Sequence, residues 1–144
     1  MINHQIKHMD SQLKKPLNIE LLKKQVSFGV KIWLEFNKDV PKNILGSGWA
    51  NLLEKIYHKE GEHRRSLTQA AKECGYSYKY AWNILKRIET RTGFSPVKTT
   101  KGGAGGGGSV ELNEWGIYLL TTYKMLVKEL ESLENRLQKT LKID

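Results

Sequence analysis

The stretch SLTQAAKECGYSYKYAWNILKRIETRTGFSPVKTTKGGAGGGGSVELNEWG, residues 66–116, decides the fold. Ser66 can cap a short helix that packs through Ala70, Ala71 and Cys74, and Gly75 stops it, because a left-handed terminal residue is inexpensive only for glycine. Ser77 caps a second helix that the spacing predicts to about Thr92, before Gly93. At 100° per residue, Ala81, Ile84, Leu85, Ile88 and Thr92 cluster on one side of it. Lys79, Asn83, Lys86 and Thr90 lie opposite, with Arg87 nearby and Tyr78, Tyr80 and Trp82 on the flanks. Pro96–Lys101 and Ser109–Asn113 read as strands around the glycine run Gly102–Gly108, and Asn113 opens a further helix. This order of elements is that of a winged helix-turn-helix, a unit that sets one helix into the major groove of DNA.

Charge agrees with that reading. The chain of 144 residues carries a formal net charge of +9. Between Gly61 and Lys101 nine basic residues face three acidic ones, whereas from Gly102 to Asp144 five basic face six acidic. The positive excess sits on the proposed reading unit, and polyphosphate is its natural partner. Hydrophobic content of 39% and charged content of 27% are ordinary for a globular protein. No run approaches the roughly 18 apolar residues of a membrane span, so no membrane partner is expected. The opening MINHQIKHMDSQLKK lacks an apolar core and a small-residue cleavage site, and the single Cys74 suits a reducing compartment. A cytoplasmic protein is expected.

Working outward, Phe28, Val30, Ile32, Leu34 and Phe36 alternate with polar or exposed positions and predict a strand over 27–36. Asn37–Gly48 reads as turn, followed by a helix to about Lys59 with Leu52, Leu53, Ile56 and Tyr57 inside. Residues 1–26 read as an extension, with Ile2, Ile6, Met9 and Leu13 at helical spacing and a possible short turn over Leu17–Lys24. At the other end, Leu119, Tyr123, Leu126, Leu130, Leu133, Leu137 and Leu141 are spaced close to a heptad seam along a helix from Asn113 to about Leu141. Such a seam indicates a partner helix, here that of a second copy. The expected organisation is an extension (1–26), a winged helix-turn-helix domain (27–113) and a dimerisation helix (114–144). The expected fold class is mostly α with a small β-sheet.

At SYKYAWNILKRIE (77–89) followed by KTTKGGAGGGGSVELNEWG (98–116), the sequence resembles the DNA-binding domain of the molybdate-responsive ModE family. It is more distantly similar to the N-terminal domain of LysR-type regulators. The pattern covers about residues 28–130, including VKIWLEF and GSGWANLLEKI. The resemblance implies a dimeric transcriptional regulator of palindromic DNA, with the recognition helix at Ser77–Lys86. Fuller family members carry oxyanion-binding domains after the dimerising helix, whereas the sequence read here ends at Asp144, so no cofactor or oxyanion ligand is expected of it.

Lys79, Asn83 and Lys86 are the candidates for base contacts, since Asn bonds adenine bidentately and Lys donates to guanine. Ser77, at a helix N-terminus, is a candidate phosphate contact. Tyr78 and Tyr80 can donate hydroxyls to phosphates, Arg87 adds charge, and Lys98 and Lys101 stand at the base of the glycine wing. Trp82 reads as structural. The glycine run is no nucleotide loop, because Ser109–Leu112 follows it as a strand without the required Lys-Ser/Thr. His4, His8, His58 and His63 lack the Cys pair or carboxylate cluster of a metal site. No catalytic triad or paired carboxylates stand out, and an enzyme is not expected. Two other readings stay open: an architectural chromatin protein with low sequence preference, and a winged-helix protein-interaction module.

Overall fold

A computed structural model describes residues 15–57, 65–100 and 109–142. The chain divides into two compact units, one of residues 30–131 and one that groups the described parts of 1–29 and 132–144. The larger unit is mainly helical with two small antiparallel sheets, a winged helix-like fold.

In that unit β1 (Leu34–Asn37) and β2 (Pro41–Leu45) form a hairpin, with a register irregularity between Leu34 and Glu35. Helix α2 (Ser47–Ile56) follows, then β3 (Arg65–Ser66), α3 (Leu67–Cys74), α4 (Tyr78–Thr92), β4 (Val97–Thr100) and β5 (Ser109–Leu112). The second sheet has the order β3-β5-β4. The final helix α5 runs from Glu114 to Lys142, so that its last residues belong to the smaller unit. There, helix α1 (Ile19–Gln25) is capped by Asn18 and buries no residue.

Both caps expected of the reading unit are present. Ser66 Oγ accepts from the Gln69 amide at 3.1 Å, and Ser77 Oγ accepts from the Tyr80 amide at 3.0 Å. Gly75 and Gly93 end α3 and α4 with φ of 75° and 89°, where a side chain would be strained. The core is built from one face of each helix: Leu52, Leu53 and Ile56 of α2, Ala70 and Ala71 of α3, and Ala81, Ile84, Leu85 and Ile88 of α4. Ile44 and Leu45 of β2 and Val110 and Leu112 of β5 close it.

Four points differ from what the sequence leads one to expect. The strand expected over 27–36 extends only from Leu34 to Asn37, because only those residues find a partner for their backbone groups, opposite Pro41–Leu45. The alternation holds over Ile32, Leu34 and Phe36, which are half-buried, and fails at the exposed Val30. Pro41–Leu45 is strand rather than turn. Its Pro41 is the first strand residue, where a missing N–H is tolerated, and its two buried residues are adjacent rather than alternating. Strand β3 was not expected at all, since two residues carry no periodicity. The helix expected to reach Lys59 ends at Ile56. Ile2, Ile6, Met9, Leu13, the four histidines and residues 101–108 lie outside the described residues.

Gly116, in the first turn of α5, is buried against the strand that leaves α4. A Cβ there would run into the Pro96 carbonyl oxygen and crowd Leu112. Gly116→Ala is therefore expected to destabilise the fold by about 1–3 kcal/mol or more, the usual result of overpacking. Gly29→Ala, with open space around it, is expected to leave stability within about 0.5 kcal/mol of the parent. Urea unfolding midpoints compare the two.

Candidate nucleic-acid interface

Helix α4 is amphipathic in the sense a groove-reading helix requires. Its buried stripe, Ala81, Ile84, Leu85, Ile88 and Thr92, faces the core. Lys79, Asn83, Lys86 and Thr90 are exposed on the opposite side. Helix α3 packs against α4 across the Gly75–Ser77 turn, so the two helices stand in the helix-turn-helix relation.

The turn is fastened from below. The Tyr76 hydroxyl donates to the Gly48 carbonyl of α2 at 3.0 Å, and the Tyr76 ring meets Tyr80 edge-on at 4.9 Å. Burial raises the Tyr76 pKa above the usual tyrosine value, so the hydroxyl remains a donor at neutral pH. Burial likewise pushes the Cys74 thiol up, against the opposing pull of Lys55. Ser77, Tyr78, Lys79 and Tyr80 are all exposed at the N-terminal end of α4, with Tyr78 57% and Tyr80 47% accessible. Three hydroxyl groups, a cation and the N-terminus of a helix therefore share one end, a setting that suits an anion.

Toward its C-terminal end α4 holds its cations on aromatic rings. Arg87 and Arg91 lie 6.0 and 5.7 Å from the Trp49 ring centroid, and Lys86 lies 5.7 Å from that of Trp82. Arg91 also donates to the Asn43 carbonyl, tying α4 to β2. Lys86 approaches Glu89 at 3.7 Å, but both side chains are half exposed and such a pair holds little free energy. Trp82 is half-buried against the core, as a structural residue would be. Sequence reasoning missed Trp49 and Arg91, which meet from different elements; their spacing in the chain carries no sign of the contact.

Lys98 is exposed on β4, across from Glu111 of β5, and Lys101 lies outside the described residues. The seam of α5 divides. Leu119 and Tyr123 are buried in the core of their own fold, and the Tyr123 hydroxyl donates to the Ile32 carbonyl at 3.4 Å. Leu126 and Leu130 are half-buried, and Leu133 and Leu137 are exposed, each about two-fifths accessible. Among the described residues no helix is long and apolar enough to cross a membrane, and no group of His, Cys, Asp or Glu is placed to hold a metal.

No family model matches the chain. Over 86 residues it is 34% identical to the transcriptional regulator ModE of Yersinia pestis, a match that covers 60% of this chain and 31% of the relative. Over 63 residues it is 36% identical to the DNA-binding transcriptional dual regulator ModE of Escherichia coli K12, covering 44% of this chain and 24% of that protein. The matched part thus spans less than a third of the relatives' length. It agrees with the resemblance to a ModE-type N-terminal DNA-binding domain.

Ser77 supports the helix start and also faces outward, and the two roles separate by substitution. Ser77→Ala is expected to cost about 1 kcal/mol of stability through the lost cap. Ser77→Asp keeps the cap and the stability but brings a negative charge to the surface that would meet phosphate. If the interface assignment is right, the aspartate variant unfolds like the parent in urea and binds DNA more weakly than the alanine variant. Equal DNA affinity for the two variants would remove Ser77 from the interface.

Proposed function

We propose that this chain is a DNA-binding transcriptional regulator that reads double-stranded DNA as a homodimer. The observation that carries the proposal is the face of α4: Lys79, Asn83 and Lys86 exposed in line, directly opposite a stripe fixed in the core. The similarity to the ModE regulators supports the same reading. In this reading Asn83 bonds an adenine edge, Lys79 and Lys86 donate to guanines or to the flanking phosphates, and Ser77, Tyr78, Tyr80 and Arg87 hold the backbone on either side. Lys98 and Lys101 bring the wing to a further phosphate.

Dimerisation would use the outer part of the α5 seam, Leu126 through Leu137, since Leu119 and Tyr123 are already occupied in the core. The two recognition helices would then meet half-sites about 34 Å apart on one face of the duplex.

Asn83→Ala is expected to lose ~1–3 kcal/mol on a preferred site, selected from a random pool, and little on random DNA. Lys98→Ala should weaken both DNAs alike and lower the salt slope by about one phosphate contact. An unchanged specific-to-random ratio for Asn83→Ala would favour an architectural protein. Absence of salt-dependent binding would favour a protein-interaction module.

The dimer is tested at exposed positions. Leu133→Asp with Leu137→Asp should give folded monomers by sedimentation, because charges there disrupt only a partner's contact. A parent protein that sediments as a monomer at micromolar concentration would refute the dimer.

A further inference from the structure

Tyr80, Arg87 and Arg91 follow one another along α4 at intervals of seven and four residues. They form a row beside its outward face, with about 10 and 6 Å between them along the axis. The row looks onto α2 and β2. Arg87 and Arg91 both rest on the Trp49 ring, 6.0 and 5.7 Å from its centroid, and Tyr80 and Arg91 line a cleft of about 400 Å³ with Trp33, Asn43 and Trp49. The other flank of α4 looks onto the wing, where Trp82, Lys86 and Glu89 lie beside Val97 and Thr99 of β4.

The cations of the two flanks are placed differently. On the wing side Lys86 has Glu89 at 3.7 Å, and Lys98 stands across from Glu111. On the other side Arg87 and Arg91 share one ring, and neither forms an ion pair among the described residues. Glu35, the acid bonded to Trp33 of the cleft, accepts that indole N–H at 2.9 Å and pairs with neither arginine. Two like charges on one ring repel each other, a repulsion that an anion joining both would relieve. Arg91 uses one donor on the Asn43 carbonyl and keeps the rest of its fork. A guanidinium held over an indole carries those donors at its edge, which fits the oxygens of a phosphate.

We propose that Arg87 and Arg91, held by Trp49, bind backbone phosphates of one DNA strand where it passes Tyr80, on the side of α4 away from the wing. A helix in the major groove meets phosphates along its flanks, and these contacts fix its register without reading bases. Trp49, half-buried against the core, is the positioning residue for both guanidinium groups. The inference rests on the DNA-binding reading above and adds to it Arg91, Trp49 and the flank on which the strand is gripped.

Binding of the full chain to a preferred site and to a random duplex is measured as a function of salt, with urea unfolding to show that each variant is folded. Arg87→Gln and Arg91→Gln should each weaken both DNAs several-fold and lower the salt slope by ~1. Arg91→Lys retains the charge and should retain the slope, which separates a phosphate contact from the tie to Asn43. Lys128→Gln, the same charge change on α5, should leave the slope as in the parent. Single uncharged methylphosphonates in the preferred site then map the contacts. The positions that weaken the parent but not Arg91→Gln should lie together on one strand of each half-site, and they should lose their effect in Trp49→Leu although both arginines remain. Unchanged slopes in the two glutamine variants overturn the proposal. So does an equal fall in Lys128→Gln, or a loss of slope in Arg91→Lys as large as in Arg91→Gln. Methylphosphonate effects that persist in Trp49→Leu remove Trp49 alone. A parent that binds no DNA overturns the earlier reading and this one together, whereas salt-dependent binding with parental slopes in both arginine variants overturns this one only.

Discussion

The whole arrangement depends on the burial of one stripe of α4. Ile84 and Ile88 are almost fully inaccessible, and Leu85 and Ala81 lie beside them. Each large aliphatic side chain removed from water contributes about 1.5–3 kcal/mol. Three of them together rival the net stability of a small domain, which is about 5–15 kcal/mol. Rotating α4 by one residue would forfeit much of that sum. The helix is therefore locked in phase, and the outward direction of Lys79, Asn83 and Lys86 follows without any interaction of their own. The exposed face is specified by the residues on the other side of the helix.

Phase alone does not fix where a helix begins or how it tilts. Those are set by the Ser77 cap, the left-handed Gly75 and the Tyr76 hydroxyl on the Gly48 carbonyl. Arg91 fixes the far end by reaching the Asn43 carbonyl while lying on Trp49. A guanidinium stacked on indole retains its charge and several of its donors, so this anchor costs little of the positive surface. The cations near Trp49 and Trp82 are thus held in restricted positions by the rings beneath them.

What was legible in the sequence is what short-range chemistry encodes. The helices α3 and α4 could be read because serine caps, glycine stops and a 3.6-residue apolar period are local signals, and all of them lie within residues 66–93. The wing strands could be read because glycines flank them. The β1–β2 hairpin was half legible. The alternation at Ile32, Leu34 and Phe36 was real, but strand length depends on a partner, and Pro41–Leu45 hides its pairing behind a proline and two adjacent buried residues. At the interface, the exposed face of α4 followed from periodicity. The Trp49–Arg87–Arg91 cluster and the cleft beside it join residues far apart in the chain, and no periodicity reports such encounters.

The long helix illustrates the limit of a pattern that is correct but ambiguous. A run of apolar residues at spacings of three and four states that one face of α5 avoids water; it does not state what covers that face. Near Glu114 the cover is the helix's own domain: Gly116 lies against the Pro96 carbonyl, Leu119 and Leu120 enter the core, and Tyr123 reaches Ile32. Farther along, the same stripe is open at Leu133, Leu137 and Leu141. A single helical face thus changes its role along its length, from core to exposed seam, without a break in the sequence period.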